Sequence, residues 1–187
     1  MAPLRHLESA ALAVPRANVD TDQIVPARFL KRPRAEDFGA VLFHDQRALL
    51  GAAVRGETRI VVAGRNFACG SSREHAVWAL ADYGFRAAIA PSFGDIFRSN
   101  ALKNGFLPVV LPEETVAGLL QGLARDPAAR IAIDVERLSV TLPGGAQHRF
   151  ELEPFARQCL LEGLDELSYT LTQAPRIAEF ERSYEAP

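Results

Sequence analysis

Gly64-Arg65-Asn66-Phe67-Ala68-Cys69-Gly70-Ser71-Ser72-Arg73-Glu74-His75-Ala76 is the stretch around which the rest of the chain arranges itself. Ahead of it, Arg59-Ile60-Val61-Val62-Ala63 is a β-branched run that reads as a buried strand. Behind it an apolar segment is long enough for a helix over residues 72–83, with Ala76, Ala79, Leu80 and Tyr83 on one face. The unit is therefore a strand, a loop and a helix. Gly64 and Gly70 permit close backbone approach or positive φ, Ser71 stands where a helix N-cap belongs, and Glu74 follows at capping-box distance.

A helix start of this kind favours anionic oxygen atoms, because its first N–H groups lack intrahelical acceptors and the helix dipole is positive there. Arg73 adds a planar, permanently charged fork suited to a carboxylate or phosphate. Taken alone, Ser-Ser-Arg-Glu is simply a capped helix with a solvated arginine; the glycine-bounded loop is what raises the chemical reading. A Walker loop is excluded, since no Lys follows Gly70 and the glycine spacing is wrong. Cys69 has no paired His and reads as a small packing residue.

Three further runs complete a recognisable pattern: Tyr83-Gly84-Phe85, then Ala90-Pro91-Ser92-Phe93-Gly94-Asp95-Ile96-Phe97 with Asn100, and upstream Asn18-Val19-Asp20-Thr21-Asp22-Gln23-Ile24-Val25-Pro26. In this order, from about Val14 to Val110, the chain resembles the small-subunit family of the isopropylmalate dehydratases, which corresponds to the mobile C-terminal domain of aconitase. The resemblance implies an α/β fold, the swivelling β/β/α domain, as a single domain over residues 1–187. It implies a hydro-lyase that interconverts 2- and 3-isopropylmalate through 2-isopropylmaleate in leucine biosynthesis and is inactive alone. Ser71 would be the base, used as an alkoxide; Arg73 would bind a substrate carboxylate, with Ser72 also touching substrate. Asp22, Glu74 and His75 would form the supporting network, with Asp22 orienting Arg73 or another charged partner.

Such chemistry needs a base for the C–H proton, a Lewis acid for the departing hydroxyl and cations for two carboxylates. The missing Lewis acid would be a [4Fe–4S] cluster on a separate large subunit, the expected partner. An oxygen that caps the helix is not also a free alkoxide, so Ser71 and Ser72 remain alternative caps. Other readings stay open: a related hydro-lyase for methylmalate, dimethylmalate or homoaconitate, or a non-catalytic anion-binding domain. In the family the loop over residues 27–39 lies over the substrate, and its Arg28, Lys31, Arg32 and Arg34 otherwise read as a solvated basic face.

Composition is consistent with one compact domain. The 187 residues are 48% hydrophobic, and 21 Lys plus Arg against 23 Asp plus Glu leave a formal charge of −2, which gives no drive toward nucleic acid or membranes. Cys69 and Cys159 form no paired spacing and the histidines at 6, 44, 75 and 148 are scattered, so no metal set is expected on this chain. Arg5, His6 and Glu8 interrupt any apolar leader, and the expected location is the cytoplasm, with reduced thiols.

Elsewhere, Ala10 to Val14 reads as a first strand, and Asp20-Thr21-Asp22 as a polar turn. Val41 to Arg55 reads as short helical or irregular structure in which His44 carries no chemistry. Strands follow at 85–90 and 106–111 with a helix at 94–104 between them, so two strand-helix-strand units form a parallel βαβαβ core. Helix 113–125 has acids first and Arg125 last. Strands at 131–135, 138–142 and 149–152 add antiparallel structure, turned by Pro143-Gly144-Gly145. Helices near 155–161 and 176–184 close the chain.

Overall fold

The computed structural model describes residues 1–70 and 73–184. Its strands are β1 (His6–Val14), β2 (Ile60–Ala63), β3 (Ala87–Ala90), β4 (Leu107–Val110), β5 (Arg130–Asp134), β6 (Ser139–Thr141) and β7 (Gln147–Arg149). They form one seven-stranded sheet in the order β4-β3-β2-β1-β5-β6-β7. From β4 to β1 the pairing is parallel, and from β1 to β7 it is antiparallel. The expected parallel core with added antiparallel strands is what the sheet shows.

β1 joins the two halves. Its first part, His6 to Ala10, pairs antiparallel with β5, and Ala11 to Val14 pair parallel with β2. The strand therefore starts at His6, four residues before the start expected from its apolar run. His6 and Glu8 face solvent while Leu7 and Ser9 are buried. Such alternation belongs to a half-exposed antiparallel pair, and it reads as an interruption only when a fully buried strand is sought.

Every residue of β2 and β3 is buried, and successive side chains serve opposite faces. Val61 and Ala63 join one core with Leu12 and Val14, whereas Ile60 and Val62 join another with Ile131 and Ile133. Helices α2 (His75–Tyr83) and α3 (Asp95–Lys103), which link β2 to β3 and β3 to β4, supply Ala76, Leu80, Phe97 and Ala101 to the first core. A further helix, α4 (Glu113–Arg125), places Val116, Leu119 and Leu123 in the second. A short helix α1 (Thr21–Ile24) precedes three 3-10 segments, Ala27–Phe29, Phe38–Val41 and His44–Leu50, of which the last lies in the stretch expected to be short helical or irregular.

Two other expectations are corrected. Helix α2 does not begin at the serines: its first residue is His75, and Glu74 flanks it with helical backbone and no side-chain cap. The C-terminal part holds three helices rather than two, α5 (Pro154–Glu162), α6 (Glu166–Thr172) and α7 (Ala174–Tyr184). In α6, Asp165 accepts from the Ser168 N–H at 2.6 Å, a cap that the weak apolar periodicity of the segment hid. Strands β5 and β6 sit one residue from their expected bounds, and β7 is Gln147–Arg149, two to three residues early, because the Pro143-Gly144-Gly145 turn closes early, with Leu142 donating to the Ala146 carbonyl.

Candidate active site

The carboxyl ends of the parallel strands β1, β2 and β3 lie side by side, the usual place for ligand chemistry in such sheets. Beyond them the chain continues as three loops laced by backbone hydrogen bonds: Asn18 to the Arg65 carbonyl at 2.9 Å, Thr21 to that of Cys69 at 3.0 Å, and Phe67 to that of Ser92 at 3.0 Å. Gly64 makes the lacing possible, because a β-carbon there would stand 2.5 Å from the Arg16 carbonyl oxygen. Gly70 then turns the chain with φ +94. Side chains add to the weave, with Asn66 Nδ2 donating to Asn18 Oδ1 at 2.8 Å and Asn66 N–H to Ser92 Oγ at 2.8 Å.

Asp20 and Asp22 divide the work of the polar turn. Asp20 caps α1, accepting from the Gln23 N–H at 2.7 Å. Asp22, two residues on and half exposed, accepts instead from Arg73 Nη1. An exposed pair of this kind adds little to stability. Its effect is geometric: one arm of the guanidinium is anchored, and Nη2 and Nε have no partner among the described residues, so the fork remains available to an anion. Ser71 and Ser72, expected as base and substrate contact, lie outside the described residues.

Glu74 and His75 engage different partners. Glu74 Oε1 accepts from Asn104 Nδ2 at 2.6 Å, and Asn104 Oδ1 accepts from Trp78 Nε1 at 3.2 Å. The carboxylate thus braces the start of α2 against the end of α3 instead of closing a capping box. His75 packs tilted on Trp78, with ring centroids 4.6 Å apart, and against the edge of Phe38 at 5.4 Å. Burial pushes its pKa below the ordinary value, opposed by the facing Leu30 carbonyl. Its Nδ1 is buried and has no hydrogen-bond partner among the described residues.

The arginines of the loop are held by protein groups. Arg28 pairs with Asp45 and approaches His44 Nδ1 at 3.0 Å, which places His44 in a surface ion-pair cluster. Arg32 lies 3.6 Å from Glu36, and Arg34 donates twice to Asp82, each at 3.0 Å, while stacking over Trp78. Lys31 is exposed and has no ion-pair partner among the described residues.

Next to Gly70 a polar hollow of 640 Å³ opens between Asn18, Arg65, Cys69, Ser92 and the first turn of α3. Arg65, Asn66 and Ser92 were not singled out from the sequence. The signal was present in Asn66, a type that tolerates positive φ, here 57°, inside a glycine-bounded loop. Cys69 lends its carbonyl to the lacing and its thiol is free, as is the buried thiol of Cys159. Among the described residues no three His, Cys, Asp or Glu gather as ion ligands, so these residues do not fit a metal or cluster site.

Comparison with known proteins places the chain and its fold. The aconitase C-terminal domain family matches residues 1–114. A 3-isopropylmalate dehydratase small subunit of Anaeromyxobacter sp. (strain K) is 50% identical over 191 residues, covering 97% of this chain and 98% of that protein. A protein of the same name from Rubrobacter xylanophilus is 47% identical, covering 98% and 95%. The fold is that of the crystal structure of a 3-isopropylmalate dehydratase from Methanocaldococcus jannaschii, which superposes with a TM-score of 0.74 over 93% of this chain and 98% of that one, at 24% identity.

Proposed function

The chain belongs to the aconitase C-terminal domain family, and we propose that it is the small subunit of a 3-isopropylmalate dehydratase, a hydro-lyase of leucine biosynthesis. The observation that carries this reading is the Arg73 fork, anchored on one side by Asp22 and open on the other, in a chain matched end to end by small subunits of that enzyme. A large subunit completes the enzyme in the cytoplasm. A [4Fe–4S] cluster on that subunit would supply a Lewis acid for the departing hydroxyl.

This chain's own residues hold and deprotonate. Arg73 grips one carboxylate of the malate skeleton through two parallel N–H donors. Asp22 fixes the guanidinium plane so that the grip is already oriented when substrate arrives. Ser71 takes the proton from carbon, and the positive charge of Arg73 lowers the cost of its oxyanion. Glu74 and His75 keep the start of α2 in register with α3 and with the loop over residues 27–39.

Mixing the purified chain with a cluster-bearing large subunit and following 2-isopropylmaleate tests the reading. Turnover is expected with isopropylmalate and from the mixture only. Turnover of methylmalate, dimethylmalate or homoaconitate in its place would move the assignment to a sister hydro-lyase. Tight isopropylmalate binding by the isolated chain, with no turnover in any mixture, would make it an anion-binding domain.

A further inference from the structure

Ten large apolar side chains are exposed among the described residues, and five of them, Leu167, Leu171, Ile177, Phe180 and Tyr184, fall within α6 and α7. Helix α7 buries none of its described side chains. A helix of its 11 residues is marginal in water without packing, and an apolar stripe left on such a surface marks a contact.

The position of the stripe bears on what covers it. Helix α3 has Asp95, Ile96 and Phe97 of its first turn on the polar hollow beside Gly70, and at its other end Lys103 Nζ lies 3.2 Å from Glu166, the first residue of α6. The length of α3, about 14 Å at 1.5 Å per residue, separates the start of α6 from the hollow. A large subunit that completes the site has to reach the first end of α3. Nothing in that chemistry requires the second.

The sequence of α7 carries a charge pattern that complements itself. Ile177, Phe180 and Tyr184 follow at spacings of three and four, the a, d and a positions of a coiled-coil seam. The Phe180 and Tyr184 rings stack with centroids 5.8 Å apart, so the stripe is continuous. Arg176 and Glu181 then occupy the g and e flanks. Arg176 Nη1 donates to Gln173 Oε1 at 3.1 Å, and neither Arg176 nor Glu181 has an ion-pair partner among the described residues. Two such helices lying parallel place each Arg176 beside the Glu181 of the other, the g-to-e pairing that sets orientation in parallel dimers. An antiparallel pair keeps each flank on its own side and turns Glu181 toward Glu181. The pattern therefore selects a second copy of this chain, related by a two-fold axis along the helices.

We propose that α7 is a homodimer contact, in which Ile177, Phe180 and Tyr184 of two copies form a parallel seam bordered by ion pairs from Arg176 of each copy to Glu181 of the other. The seam is short, so the free dimer is weak, with Kd on the order of micromolar. On the dehydratase reading above, the same contact joins two assembled enzymes through their small subunits.

Sedimentation velocity of the full chain over a range of concentrations tests this. Wild type is expected to pass from monomer to dimer as concentration rises, and F180S to weaken the dimer at least tenfold. R176E and E181R should each weaken it too, because like charges then face each other. A mixture of R176E and E181R chains should dimerise again, as should the R176E/E181R double variant, since both restore opposite charges across the seam. All these positions are exposed on a helix that buries nothing, so melting temperatures measured on the dilute monomer should match wild type, and a loss of dimer is not a loss of fold.

A wild-type chain that stays monomeric throughout, a dimer indifferent to F180S, or single charge variants that mixing does not rescue would each overturn the proposal. A monomeric chain in which F180S weakens binding of the large subunit at least tenfold would assign the stripe to that subunit instead, overturning the proposal while the dehydratase reading stands. Absence of turnover by the wild-type mixture would count against that reading and leave the sedimentation result unaffected.

Discussion

At the scale of single residues, Arg73 separates a solvated charge from a substrate grip. Arg73→Lys keeps the charge but not the fork. In the assembled enzyme kcat/KM should fall about ten- to a hundredfold, corresponding to about 1.5–3 kcal/mol for a charge-assisted hydrogen bond, with little change in melting temperature. Steady-state kinetics within twofold of wild type would remove Arg73 from that role. His75 predicts a pH effect. Burial lowers its folded pKa, so between that value and the unfolded value of about 6.5 the unfolded chain binds more protons. Stability should therefore fall as pH drops through about 6.5 and level off once the folded histidine is also protonated. Urea melts at two pH values should show a smaller loss for His75→Gln than for wild type; equal losses would remove His75 as the cause. The proximity of Asp22 to Arg73 was legible because each lies in a run with a strong family likeness. The bond of Glu74 to Asn104 was not, since local spacing offered the carboxylate a nearer capping partner and nothing local announces a contact thirty residues away.

At the scale of elements, the start of α2 depends on its neighbours more than on its own cap. Asn104 serves three groups at once, the Glu74 carboxylate, the Trp78 indole and the Asn100 carbonyl. Asn104→Ala strands two of them in partly buried surroundings and should cost about 1–3 kcal/mol in denaturant melts. A loss below half a kilocalorie would mean that water replaces the amide. Gly64→Ala should also destabilise by about 1–3 kcal/mol, because the added methyl meets the Arg16 carbonyl and the loops must part. It should lower activity as well, since the same loops position Asp22 and Arg73. Helices α3 and α4 were readable almost to the residue from apolar period and end charges. The start of α2 was misplaced by a capping signature that the fold does not use, and α6 was missed because it buries none of its side chains.

At the scale of the whole molecule, the two cores on opposite faces of the sheet hold the centre, and α5 adds Leu160 to one of them, whereas α6 and α7 bury none of their described side chains. Leu12→Ala, at a side chain 3% exposed, should cost about 2–5 kcal/mol, whereas Leu167→Ala, at one 70% exposed, should stay within about 0.5 kcal/mol. Comparable losses at the two positions would contradict this division. The parallel half of the sheet was readable because its short apolar strands alternate with helices. The junction with the antiparallel half was not, because it depends on one strand having two kinds of neighbour.

That junction also bears on how the chain reaches its fold. β1 leaves the ribosome before the other six strands of the sheet and is fourth across it, and its partners lie far downstream, Ile60 to Ala63 on one edge and Arg130 to Asp134 on the other. Contacts so distant in sequence fold slowly. Until β5 has been synthesised, the edge from His6 to Ala10 offers unpaired backbone groups to any strand that passes, which invites misassembly. Ribosome-stalled chains should therefore protect the amides of β2 and β3 early, and those of Leu7 and Ser9 only after residue 134 has cleared the exit tunnel.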